Sequence, residues 1–75
     1  MSKRLPSISW MKLIKVLKKV GYLPTGQSGS HIILRRKDGK RIIVPRHDPV
    51  GKGLLMEIIA DAGLSKEDFL KLLEV

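Results

Sequence analysis

Gly29-Ser30-His31 stands directly before the strand-like run Ile32-Ile33-Leu34, which places a histidine at the mouth of a β-element. Imidazole is the side chain best suited to moving protons near neutral pH, its unperturbed pKa being about 6.5. Around it the chain carries 15 Lys and Arg against 7 Asp and Glu. A histidine among many cations has the makings of a site that cleaves an RNA backbone. In that reaction the 2′-hydroxyl attacks the adjacent phosphorus. A base takes its proton, an acid protonates the leaving 5′-oxygen, and cations stabilise the charge on the phosphorane. His31 can supply one of the two proton transfers, each contributing typically about 10²–10⁴-fold. The plainer reading of His31 is a turn histidine bonded to its neighbours in a Gly-Ser loop.

The other chemistry-bearing residues are weaker candidates. Ser30 adjoins His31, but neighbours on a strand point to opposite faces and cannot readily share a proton, so Ser30 is expected to shape the turn or bind phosphate. His47-Asp48 invites a dyad or a metal site. Two histidines and scattered carboxylates match no ligand spacing, and Asp48-Pro49 is a turn signal, so a structural role is expected. No metal or cofactor is called for by this chain. Gly51-Lys52-Gly53 precedes a helical pattern, and its free N–H groups could receive a phosphate beside Lys52, or could simply be a flexible approach to the helix. Trp10, Tyr22 and Phe69 are too few and too dispersed for a base-stacking platform.

The net charge of +8 is unevenly spread. Residues 1–47 hold twelve Lys and Arg against one acid, Asp38, for a net +11, whereas residues 48–75 are net −3. A positive field on one part of a small protein attracts polyanions, and neutralised phosphates dominate nucleic-acid affinity. An acidic protein would also answer to that field. With 75 residues and no cysteine, the chain is read as one small domain spanning 1–75 without disulfides or a thiolate metal site. The start, Met1-Ser2-Lys3-Arg4-Leu5-Pro6, has no apolar signal core, and no stretch is long enough to span a membrane, so a soluble cytoplasmic protein is expected.

The elements that must position His31 follow from periodicity. Trp10, Leu13, Ile14, Leu17 and Val20 repeat at helical spacing over 10–20, with Ser7 or Ser9 as cap and Gly21 as stop. A membrane-surface role does not suit this basic helix, because its apolar stripe is needed for the core. Residues 22–25 read as an edge strand because Pro24 lacks a donor, and 27–30 as a turn. Residues 31–37 and 40–45 read as a hairpin around Asp38-Gly39. With a two-residue loop, Ile33 opposes Val44, Leu34 opposes Ile43 and His31 opposes Arg46. That register puts Ile33, Ile42 and Val44 on one face and Ile32, Leu34 and Ile43 on the other. A sheet apolar on both faces either carries extra β-branched residues for propensity or meets a partner. Residues 52–62 form a second helix stopped by Gly63. Ser65 and Asp68 resemble a capping box for a last helix that buries Phe69, Leu72 and Leu73. The order α-β-β-β-α-α gives an α+β fold, a three-stranded antiparallel sheet with helices on one face.

Taken in order, Leu17-Lys18-Lys19-Val20-Gly21-Tyr22, Gln27, Gly29-Ser30-His31, Asp38-Gly39-Lys40-Arg41, Val44-Pro45-Arg46-His47, Lys52-Gly53 and Ala62-Gly63-Leu64-Ser65 resemble the HicA toxins of bacterial and archaeal toxin–antitoxin pairs. The resemblance covers nearly the whole chain. It implies a fold like the double-stranded-RNA-binding domain and an mRNA interferase, a metal-independent endoribonuclease centred on His31. It also implies a cognate HicB antitoxin that covers the toxin. Two positions depart from the pattern. Ile32 follows His31 where a second His is frequent, and Arg46 stands where an apolar residue is frequent. In this reading Arg46 forks the non-bridging oxygens across from His31, Arg35, Arg36 and Arg41 track the flanking phosphates, and Lys52 takes a further one. The second proton-transfer group is water, a lysine or His47. A non-catalytic RNA-binding module and a protein-interaction adaptor are the competing readings.

Overall fold

Ser9 begins the first helix, α1 (Trp10–Lys19): its Oγ accepts the Lys12 N–H at 3.2 Å, satisfying one of the free donors of the first turn. Lys18 and Lys19 occupy the last turn, where they complement the helix dipole. Gly21 adopts φ +95°, and the ordered chain turns into the sheet through Tyr22. In this computed structural model, which describes residues 5–73, three strands follow: β1 (Leu23–Ser28), β2 (His31–Arg35) and β3 (Arg41–Pro45). They form one antiparallel sheet in the order β1-β2-β3, so the strand carrying His31 is central. Helices α2 (Lys52–Asp61) and α3 (Lys66–Leu73) complete the chain. The order and layering are those expected, consistent with the double-stranded-RNA-binding-domain-like fold. The basic start Met1–Arg4 lies outside the described residues.

One face of the sheet is covered. Leu34, Ile42 and Val44 are buried there with Leu13, Val16 and Leu17 of α1, Leu55 and Ile58 of α2 and Phe69 of α3. Burying each such side chain contributes roughly 1.5–3 kcal/mol, the main favourable term for a chain this small. Helix α3 packs on α1, and the Ser65–Asp68 box is formed in both directions: Asp68 N–H to Ser65 Oγ at 3.0 Å, Ser65 N–H to Asp68 Oδ2 at 3.2 Å. The Ser65 backbone N–H, and then its hydroxyl, hold the Asp68 carboxyl below its ordinary range. No helix among the described residues is long and apolar enough to cross a membrane.

The hairpin register corrects the sequence reading. The β2–β3 loop has three residues, Lys37-Asp38-Gly39. The Arg36 carbonyl accepts the Gly39 N–H, the Arg36 N–H donates to the Lys40 carbonyl, and Gly39 takes φ +91°. A three-residue loop closed by a left-handed glycine shifts the pairing by one residue relative to a two-residue turn. His31 therefore opposes Pro45 rather than Arg46, Ile33 opposes Ile43, and Leu34 opposes Ile42. Because the side-chain period of a strand is two, that single step moves every β3 residue to the other face. Ile32, Leu34, Ile42 and Val44 now share the helix-covered face, and the opposite face carries His31, Ile33, Arg35, Arg41 and Ile43.

Two further expectations shift. β1 runs to Ser28 instead of stopping at residue 25, and the turn is only Gly29-Ser30, because Ser28 pairs directly with His31. Gly29 sits at φ +56°, as the first position of a two-residue hairpin of this kind requires. Tyr22 is a fully buried core residue preceding β1 rather than part of an edge strand.

Candidate functional site

His31 is the first residue of the central strand, bonded into β1 on one side and β3 on the other. Both neighbours restrain its backbone, and the Gln27 side-chain amide donates to the Gly29 carbonyl at 3.2 Å, tying down the turn that precedes it. Its side chain is exposed on the sheet face that the helices leave open. Along that face β2 presents His31, Ile33 and Arg35 while β3 presents Pro45, Ile43 and Arg41, and Arg35 and Arg41 stand directly opposite each other. Like charges directly opposite on a sheet repel. Two exposed guanidiniums in this position therefore suit an anion bound between them.

At the other end of the same face lies a cleft of about 500 Å³, lined by His31, Ile43, Pro45, His47, Pro49, Gly51 and Leu54. A smaller depression beside it is lined by Ser28, His31, Ile33 and Ile43, so His31 borders both. The cleft corrects the reading of His47. The two-residue turn expected from the sequence, with Arg46 opposite His31, would put His47 on the face away from His31, whereas in the structure both histidines line one cavity. Gly51, at the rim, is the N-cap of α2 and makes no side-chain capping bond. With no acid in its first turn, this helix start leaves N–H donors and Lys52 exposed.

The remaining predicted cations fall in different surroundings. The Arg46 N–H donates to the Ser30 carbonyl at 2.6 Å, and its guanidinium lies 5.1 Å from the Trp10 ring centroid, toward the helix side of the sheet. That geometry takes it out of the place across from His31, which Pro45 occupies, and Arg46 does not line the cleft. Arg36 is engaged within the chain. Its Nε and Nη2 donate to Asp38 Oδ2 at 3.1 and 2.5 Å, and its guanidinium lies 5.0 Å from the Tyr22 ring centroid. The hydrogen bond from Arg36, aided by the Lys40 N–H, holds the Asp38 carboxyl down at about 2, and the same contact raises Arg36. Ile32, where the resembling family often has a second His, packs half-buried against the core. Among the described residues no group of three or more His, Cys, Asp or Glu is arranged to hold a metal ion.

In comparison with known proteins, the family model of the HicA toxin of bacterial toxin–antitoxin systems matches residues 10–64. The matched segment runs from the start of α1 to Leu64 and holds the three strands, α2, His31 and the whole cleft. No curated protein matches the chain.

Proposed function

Because this chain belongs to the HicA toxin family, the toxin side of a toxin–antitoxin system, we propose that it is an mRNA interferase: a metal-independent endoribonuclease that cleaves mRNA and arrests translation and growth. The observation that carries this reading is the placement of His31, exposed at the edge of the cleft and on the same open face as the opposed Arg35–Arg41 pair. A single strand of RNA laid along that face would set one phosphodiester at His31 and a flanking phosphate between Arg35 and Arg41. The free N–H groups and Lys52 at the start of α2 suit a phosphate on the far side of the cleft. Arg46, its guanidinium over the Trp10 ring, contributes positive charge to the RNA's approach rather than a fork opposite His31. Arg36 serves the site indirectly, by clasping the hairpin turn that sets the register.

In this reading His31 takes or gives one proton as the 2′-oxygen displaces the 5′-oxygen at phosphorus, and the arginines carry the negative charge that builds on the phosphate oxygens. The whole chain, 1–75, acts as one toxin domain in the cytoplasm, where mRNA is found, and its partner is a cognate antitoxin of the HicB type. Family membership supports both.

The test is controlled expression of the wild type and His31→Ala in growing cells, with mRNA integrity and the level of folded protein followed over time. Growth arrest with mRNA decay in the wild type alone is the expected result. Arrest by both proteins without decay would replace this reading with RNA sequestration. An inert wild type would favour an adaptor.

A further inference from the structure

The cleft beside His31 contains a second imidazole and no other titratable side chain. Ile43, Pro45, Pro49 and Leu54 are apolar and Gly51 has no side chain, so His31 and His47 are the two residues of its lining able to exchange a proton. We propose that His47 is the second proton-transfer group of the site, acting with His31 on the two ends of a single RNA phosphodiester. The proposal rests on the reading of this protein as an RNA-cleaving enzyme.

His47 is held for such a role by what flanks it. On one side the Arg46 N–H is bonded to the Ser30 carbonyl and its guanidinium packs over Trp10. On the other, Val50 is 2% exposed, and its N–H donates to the Ile8 carbonyl at 2.9 Å. The segment leaving β3 is thus anchored immediately before His47 and three residues after it. His47 lines the cleft, while the guanidinium of the preceding Arg46 is drawn away over the Trp10 ring. His31 is fixed independently, by its pairing to two strands. Two imidazoles carried by separately anchored segments, with a polar substrate between them, make a pair able to divide base and acid duties.

The reaction balances with no further reactant. One imidazole, neutral, takes the proton of the ribose 2′-hydroxyl as the 2′-oxygen bonds to phosphorus. The other, as imidazolium, gives its proton to the 5′-oxygen as the P–O5′ bond breaks. The products are a 2′,3′-cyclic phosphate and a free 5′-hydroxyl, and proton exchange with water restores both rings.

The experiment uses the full-length protein and a short single-stranded RNA cut at a site mapped with the wild type. The RNA is made in two forms, with oxygen or with sulfur as the 5′-leaving atom at that site. Single-turnover rates at saturating protein are measured for the wild type, His31→Ala, His47→Ala and His47→Gln, alongside RNA affinity and thermal unfolding. On the all-oxygen RNA both His47 variants should be slower by about 10²-fold or more, with affinity changed by less than about threefold. A thiolate leaves without protonation, so the sulfur RNA should restore the rate of the variant that lacks the acid, at position 47 or 31, and not of the other. His47 variants cleaving the all-oxygen RNA within about threefold of the wild type would overturn the proposal. So would slow variants of which sulfur restores none, a pattern that assigns His47 to structure or binding. A wild type that leaves RNA intact, or a His31→Ala protein as fast as the wild type, overturns instead the nuclease reading beneath it.

Discussion

His31 shows how little of a residue's chemistry lies in its type and how much in its surroundings. Its exposure, its place on the central strand and its shared cleft with His47 distinguish it from a turn histidine packed among its neighbours. The cations divide in the same way. Arg35 and Arg41 face each other on the open side of the sheet, whereas Arg36 is held by Asp38 and Tyr22. Replacing Arg35 and Arg41 together with Ala should weaken RNA binding with little regard to sequence. It should also flatten the salt dependence of log K by about 1 to 1.5, the share of two single-strand phosphate contacts. Filter-binding titrations at several salt concentrations measure that slope, and an unchanged slope would remove the pair from the RNA path. The Arg36–Asp38 contact makes a different prediction. The Asp38 carboxyl is lowered from 3.8 to about 2 in the folded chain, so its stabilising contribution is fully present above the unfolded value and is lost as pH falls toward 2. Thermal unfolding of Asp38→Asn should therefore show a lower midpoint than the wild type at pH 6, and the two should converge near pH 2. The gap should be small, because exposed ion pairs are strongly screened.

Most of the elements were legible in the sequence because their signals are local. Ser9, Gly21, Gly63 and the Ser65–Asp68 box mark helix ends by hydrogen bonds within a few residues, and the structure forms each of them as expected. Replacing Ser65 with Ala removes one side of that box and should cost about 1 kcal/mol. In a protein of this size that lowers the unfolding midpoint by roughly 4–8 °C, readable by circular dichroism. What was not legible is the pairing between strands. Asp38-Gly39 fits the middle of a two-residue loop and the end of a three-residue loop equally well, and sequence spacing alone does not choose between them. In the structure Gly39 takes the left-handed position after Lys37-Asp38, and Asp38 accepts the Lys40 N–H while holding Arg36. That one-residue difference moved Arg46 away from His31 and brought His47 to it. The alternation within the hairpin then becomes clean: Ile32, Leu34, Ile42 and Val44 point inward, and the isoleucines Ile33 and Ile43 lie on the open face. The β1 boundary was misplaced for a similar reason. Its six residues are all exposed and carry no hydrophobic period to reveal a strand.

At the scale of the whole molecule, charge and shape point the same way. Residues 1–47, net +11, include α1 and the complete sheet, whereas residues 48–75, net −3, include α2 and α3. On the proposed reading, an RNA strand would use the part of this charge that Arg35 and Arg41 bring to the open sheet face, with the cleft at its end. The family match covers that same region, from residue 10 to 64. The central claim, that His31 cuts RNA rather than only holding it, is tested most directly with purified wild type and His31→Ala, labelled single-stranded RNA and EDTA. Both the cleavage rate and the RNA affinity are measured, and the new 3′ ends are identified. The account predicts cleavage by the wild type in EDTA that leaves 2′,3′-cyclic phosphate ends. It predicts a fall of at least about 10²-fold in His31→Ala, with affinity kept within about twofold. A folded His31→Ala protein that cleaves as fast as the wild type would contradict it.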